Sequence, residues 1–162
     1  MSKSTTFLTI GALVAFAAVN TASAQGATQT VTFEVTAINQ ISVTGAPSLV
    51  INTATAGSAP TSVTAAANSW SVTTNQSTAM ITASIPSAMP TGLTLSANLI
   101  APAGATSAGL IALGTTAVNV VTGITKLNSA ALGLTYQLDA TAAAGVVSSS
   151  TRVVTYTITG GI

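Results

Sequence analysis

Leu93-Thr94-Leu95-Ser96-Ala97-Asn98-Leu99 and Leu132-Gly133-Leu134-Thr135-Tyr136-Gln137-Leu138 both place apolar residues at every second position. In a β-strand successive side chains point to opposite faces, so Leu93, Leu95, Ala97 and Leu99 line one face, as do Leu132, Leu134, Tyr136 and Leu138. Neither stretch sustains the 3.6-residue period of a helix. The same alternation predicts strands over Thr30 to Thr36, Ile41 to Val43, Leu49 to Ile51, Trp70 to Thr74, Met80 to Ile85, Leu110 to Leu113, Val118 to Ile124, Leu132 to Thr141 and Arg152 to Thr159. Gly- and Pro-containing turns separate them, among them Gly45-Ala46-Pro47, Gly57-Ser58-Ala59-Pro60, Met89-Pro90-Thr91-Gly92 and Ala101-Pro102-Ala103-Gly104. Strands and turns at this spacing predict an all-β, immunoglobulin-like β-sandwich of about nine or ten short strands. Two Ala-rich stretches, Ala65 to Ala67 and Ala140 to Ala144, are the places where a helical turn is expected.

Met1-Ser2-Lys3 precedes an apolar stretch from Phe7 to Val19, followed by Ala22-Ser23-Ala24-Gln25. A basic start, an apolar run of this length and an Ala-x-Ala site predict a signal peptide over 1–24, with Ala22 and Ala24 as the small residues before the cut and Gln25 as the first residue after it. The apolar run falls short of the ~18 residues that span a bilayer, so no membrane anchor is expected in the mature form. Removing 24 of the 162 residues leaves 138, the size of a single sandwich domain over 25–162.

Only 3% of the chain is charged although 48% is hydrophobic and the mean hydropathy is +0.69. An ordinary domain carries about 25% charged residues. Without His or Cys, no imidazole or thiolate metal site and no Ser/His/Asp or Cys/His triad can form. Three basic residues make no positive face for nucleic acid. Once Lys3 is removed, Lys126 and Arg152 balance Glu34 and Asp139, and a surface of zero net charge favours association.

Glu34 and Asp139 fall on the outward phases of their strands, and nothing in the sequence brings them to the separation that paired-carboxylate catalysis needs. One Asp and one Glu do not make a calcium site. No catalytic, cofactor or metal residues are therefore assigned, and no enzyme is expected. Phe33, Trp70, Tyr136 and Tyr156 occupy the apolar phases of their strands and are expected in the core rather than on a carbohydrate platform. Thr-x-Thr runs such as Thr155, Thr157 and Thr159 solvate a sheet without charge. Asn75-Gln76-Ser77 matches a glycosylation sequon.

The first alternating segment lies beside the mature N-terminus, behind the polar leader Gln25 to Gln29. A terminal strand can pair within its own domain, or be lent to a neighbour whose groove takes Val31, Phe33 and Val35 while the backbone completes a ladder. On the second reading 25–36 is an N-terminal donor segment, and head-to-tail addition grows a filament.

The signal peptide, the small all-β mature domain, the segment Thr30-Val31-Thr32-Phe33-Glu34-Val35 and the terminal strand Val154-Thr155-Tyr156-Thr157-Ile158 resemble exported bacterial fimbrial, pilin-like or coat-type subunits. That resemblance implies a secreted or cell-surface structural protein polymerising by donated strands, with a periplasmic chaperone and an outer-membrane usher as partners. The chain departs from it in having no Cys and in placing Tyr156 well inside the C-terminus. The expected function is thus a structural subunit of an extracellular filament, pilus or surface coat. The competing expectation is a monomeric secreted or surface binding module, such as an adhesin or a periplasmic ligand-binding sandwich.

Overall fold

The computed structural model describes residues 23–161. Within residues 35–161 two antiparallel sheets face each other as a β-sandwich of nine strands. One sheet has the order β1-β2-β8-β4-β6, from Asn39–Thr44 (β1), Val63–Thr74 (β2), Leu93–Leu99 (β4), Ile111–Ala112 (β6) and Leu127–Ala140 (β8). The other has the order β5-β7-β3-β9, from Ala79–Ser84 (β3), Thr106–Ser107 (β5), Val118–Ile124 (β7) and Thr155–Thr159 (β9). Among the described residues no helix is long and apolar enough to cross a membrane.

The two decisive stretches pair with each other. β4 and β8 set Leu95 opposite Leu138, Ala97 opposite Tyr136 and Leu99 opposite Leu134. Residues directly across an antiparallel ladder share a face, so the apolar phases of both strands merge into one inner surface. β2 adds Trp70 and Val72 to it. From the opposite sheet Ala79, Ile81 and Ala83 point inward, alternating with Met80, Thr82 and Ser84. Trp70 is 1% exposed, and its indole N–H donates to the Ile100 carbonyl at 3.2 Å, which satisfies the one polar group it brings into the core.

Register shifts adjust this pattern at four places, two between β2 and β8 and two between β3 and β7. In β7 the register against β3 jumps so that Ile81 faces Val121 and Thr82 faces Asn119. Val120 is then an extra residue, and both Val120 and Val121 are buried, which strict alternation forbids. In β2 the register slips between Ala65 and Asn68, and the buried Asn68 amide bridges the slip by donating to the Ala65 carbonyl at 3.0 Å. Gly45 at the end of β1 has φ +120°, and a Cβ there would lie 2.2 Å from Asn68 Oδ1. Only glycine fits both the backbone and the space.

Several sequence expectations are corrected. Leu49 to Ile51 joins neither sheet and is coil, because its three residues follow Pro47 and find no ladder partner. Ala65 to Ala67 lies within β2 and is not a helical turn: Ala65 pairs with Tyr136 of β8, and Ala66 and Ala67 fall in the register slip between two paired stretches. Ala142–Ala144 does form a short 3-10 turn. Leu110 to Leu113 shrinks to the two residues of β6, and β8 begins earlier than expected, at Leu127. Thr30 to Thr36 has no regular secondary structure.

Candidate functional site

Residues 23–38 carry no regular secondary structure and, apart from the partly buried Asn39 that follows, are exposed. Val31, Phe33 and Val35 are 72%, 90% and 78% exposed. Phe33 was expected in the core and is instead the most exposed aromatic among the described residues. The alternation of this segment is sound, but no strand of either sheet supplies a ladder for it. Ala22 lies outside the described residues; Ala24 and Gln25 are exposed and without regular structure.

Asn75 fixes how the chain enters β1. Its side-chain oxygen accepts from the Ile38 N–H at 2.8 Å, and its amide donates to the Thr36 carbonyl at 2.7 Å. The same oxygen accepts from Gln76 Nε2 at 2.6 Å. The sequon asparagine is thus engaged on both its polar atoms by protein.

β1 and β9 are edge strands of opposite sheets on one flank of the sandwich. They are pinned at one end, where Asn39 Nδ2 donates to the Gly160 carbonyl at 3.2 Å. Farther along, the flank holds a groove of about 500 Å³, walled by Ile41 and Val43 on one side and by Val154 and Tyr156 on the other. Leu95, Tyr136 and Leu138 form its floor. A second hollow of about 740 Å³, between residues 47–54 and 140–151, shares Pro47, Leu49, Met89 and Leu138 with the first. The two also share Ser150 and Thr151 and make one trough, with apolar walls around Ile41, Val43, Leu138 and Val154 and a rim of Ser and Thr.

Besides Ser and Thr hydroxyls, two phenols and one guanidinium face this trough. The Tyr156 hydroxyl donates to the Tyr136 hydroxyl at 2.9 Å. Burial raises the Tyr156 pKa far above its ordinary value of 10, and the bond to Tyr136 and that ring's charge raise it further. Burial also raises Tyr136, while accepting the bond from Tyr156 acts the other way. Both phenols are therefore neutral and serve packing and hydrogen bonding, not proton transfer. Arg152 supplies the guanidinium. It lies three residues ahead of β9 and is half-buried, and its head donates to the carbonyls of Thr151 at 2.9 Å and Ala88 at 3.2 Å, both in exposed residues at the rim. Its Nε is buried without a partner.

Asp139 accepts from Ser62 Oγ and from Gln137 Nε2, the latter at 2.9 Å. Among the described residues no group of three or more His, Cys, Asp or Glu side chains could hold a metal ion. A trough with apolar walls, a neutral phenol pair and one cation can bind an apolar strand, and it contains no general base. The trough, the asparagine clamp and the guanidinium at the rim were missed by sequence reasoning. The lone Arg ahead of the last strand was their one visible signal. Neither a protein-family model, nor a curated protein, nor a solved structure matches the chain.

Proposed function

We propose that this protein is an exported structural subunit that polymerises into a filament, pilus or surface coat by β-strand addition. One copy lends Val31, Phe33 and Val35 to the β1–β9 flank of the next. The observation that carries the reading is the 90% exposure of Phe33 between two exposed valines, in a segment whose sequence is that of a half-buried strand. Leaving three such side chains in water forgoes about 1.5–3 kcal/mol each, and the apolar walls of a neighbour's trough recover it. An occupant from another copy is also the natural one on grounds of connectivity. Thr30 to Ala37 contains no Gly, Pro, Asn or Asp with which to reverse direction, and Asn75 holds the chain at Thr36 and Ile38. Addition of this kind does not close on itself, so it extends into a fibre. The near absence of charge removes the repulsion that would oppose such stacking.

The mature protein, concentrated and viewed by negative stain, should form fibres, and the triple variant Val31→Ser, Phe33→Ser, Val35→Ser should elute as a monomer with an unchanged β-sheet circular dichroism spectrum. A wild-type chain that stays a sharp monomer peak at high concentration sinks the proposal and favours a monomeric binding module.

A further inference from the structure

We propose that Glu34 of one copy pairs with Arg152 of the next, and that this ion pair holds the donated strand at the Arg152 end of the β1–β9 groove. The inference rests on the strand-addition reading above. Without the signal peptide the chain has two acids, Glu34 and Asp139, and two bases, Lys126 and Arg152. Asp139 is engaged by Ser62 and Gln137. Glu34 is the one acid beside the exposed Val31-Phe33-Val35 triad, and Arg152 is the one charged side chain lining the β1–β9 groove. Arg152 donates only to backbone carbonyls, and its Nε has no partner. A half-buried guanidinium whose Nε is covered and unpartnered gains a charge-assisted partner when an acid arrives.

The phases agree with this pairing. With Val31, Phe33 and Val35 pointing into the groove, Glu34 points to the rim. Arg152 is half-buried, yet its head reaches the rim at Thr151 and Ala88, as long cationic side chains do when only their stems are covered. β9 pairs with β3 on one side, and its other edge is free. An antiparallel arrangement that extends β9 by two residues brings Glu34 to the Arg152 end with inward residues opposite inward residues. It sets Val31 opposite Tyr156, Thr32 opposite Thr155, Phe33 opposite Val154 and Glu34 opposite Val153, next to the carbonyl of Thr151 that the Arg152 head already holds. A register slipped by two residues toward the C-terminus sets Glu34 opposite Thr155, three positions from Arg152.

The experiment uses complementary charge reversal in the full mature chain. Glu34→Arg copies and Arg152→Glu copies should each need about 10- to 100-fold higher concentration to assemble, because each sets like charges together. Mixed in equal amounts they should assemble as the wild type does, since every junction in an alternating filament regains one acid and one base. The chain has no Cys, so mixing Thr32→Cys with Thr155→Cys copies should give an intermolecular disulfide, the Cα separation across an antiparallel pair being ~5 Å. Thr32→Cys with Thr159→Cys should give none. Assembly of either single reversal at the wild-type concentration overturns the inference, as does failure of the mixture to rescue two stalled variants. In both cases wild-type fibres and a monomeric Val31/Phe33/Val35→Ser variant leave strand addition standing. Absence of wild-type fibres overturns strand addition itself and the ion pair with it.

Discussion

Thr30-Val31-Thr32-Phe33-Glu34-Val35 and Thr155-Tyr156-Thr157-Ile158-Thr159 are near copies in pattern: Thr on one phase, aromatic and β-branched residues on the other. One has no ladder partner among the described residues and leaves Phe33 90% exposed; the other is β9, bonded to β3 from Met80–Thr159 to Ser84–Thr155. Local propensity is the same in both, so it does not decide which becomes a strand. What decides is whether a ladder partner exists, because a strand's backbone N–H and C=O groups must be paired from outside it. β9 itself is paired along one edge only, so the two segments are complementary in what each lacks.

Substitutions can break or sharpen this contrast. The largest effect is expected in the shared core that gives β9 its place: Trp70→Ala should cost about 3–5 kcal/mol in urea unfolding, and a loss below about 1 kcal/mol would mean the inner surface does not hold the sheets together. Next, Gly45→Ala should cost about 1–3 kcal/mol through left-handed strain and displacement of the Asn68 amide. The same denaturation curve measures it.

Tyr156→Phe should cost about 1 kcal/mol by removing the hydroxyl bond to Tyr136. Because the folded state raises the Tyr156 pKa above 10, the contribution of the neutral phenol is fully present below pH 10 and is lost as pH rises from there toward the folded value. Phenolate absorbance should accordingly appear for this residue only as the protein unfolds. A reversible titration near pH 10 in the folded protein would contradict the burial of the pair. The smallest effect is the sharpest test of the comparison: Phe33→Ala should change the stability of the monomer by no more than about 0.5 kcal/mol, as for other exposed positions. The equivalent change at Ile158 in β9 should cost several times more.

Much of the fold was legible in the chain. The alternation of Leu93 to Leu99 and Leu132 to Leu138 predicts two strands with like faces, and in the structure they are neighbours in one sheet. The turns at Gly45 and Gly92 fall where positive φ requires them. Less legible were features that depend on register. Val120 and Val121 are both buried because of a bulge against β3, and Ala65 to Ala67 lies within β2 although Ala66 and Ala67 fall in its register slip against β8. The candidate site divides in the same way. Val31, Phe33 and Val35 stand out from periodicity alone, whereas the trough between β1 and β9 is built from residues more than a hundred positions apart.

The sequence by itself determined the all-β class, the alternating faces and the paucity of charge, because period and composition are local properties that survive any arrangement of the strands. Tertiary structure alone decided which alternating segments found partners, that Asn75 clamps the entry to β1, and that Tyr136, Tyr156 and Arg152 meet in one groove. Pairing and burial are relations between distant residues, and a pattern of period two is indifferent to which neighbour completes it.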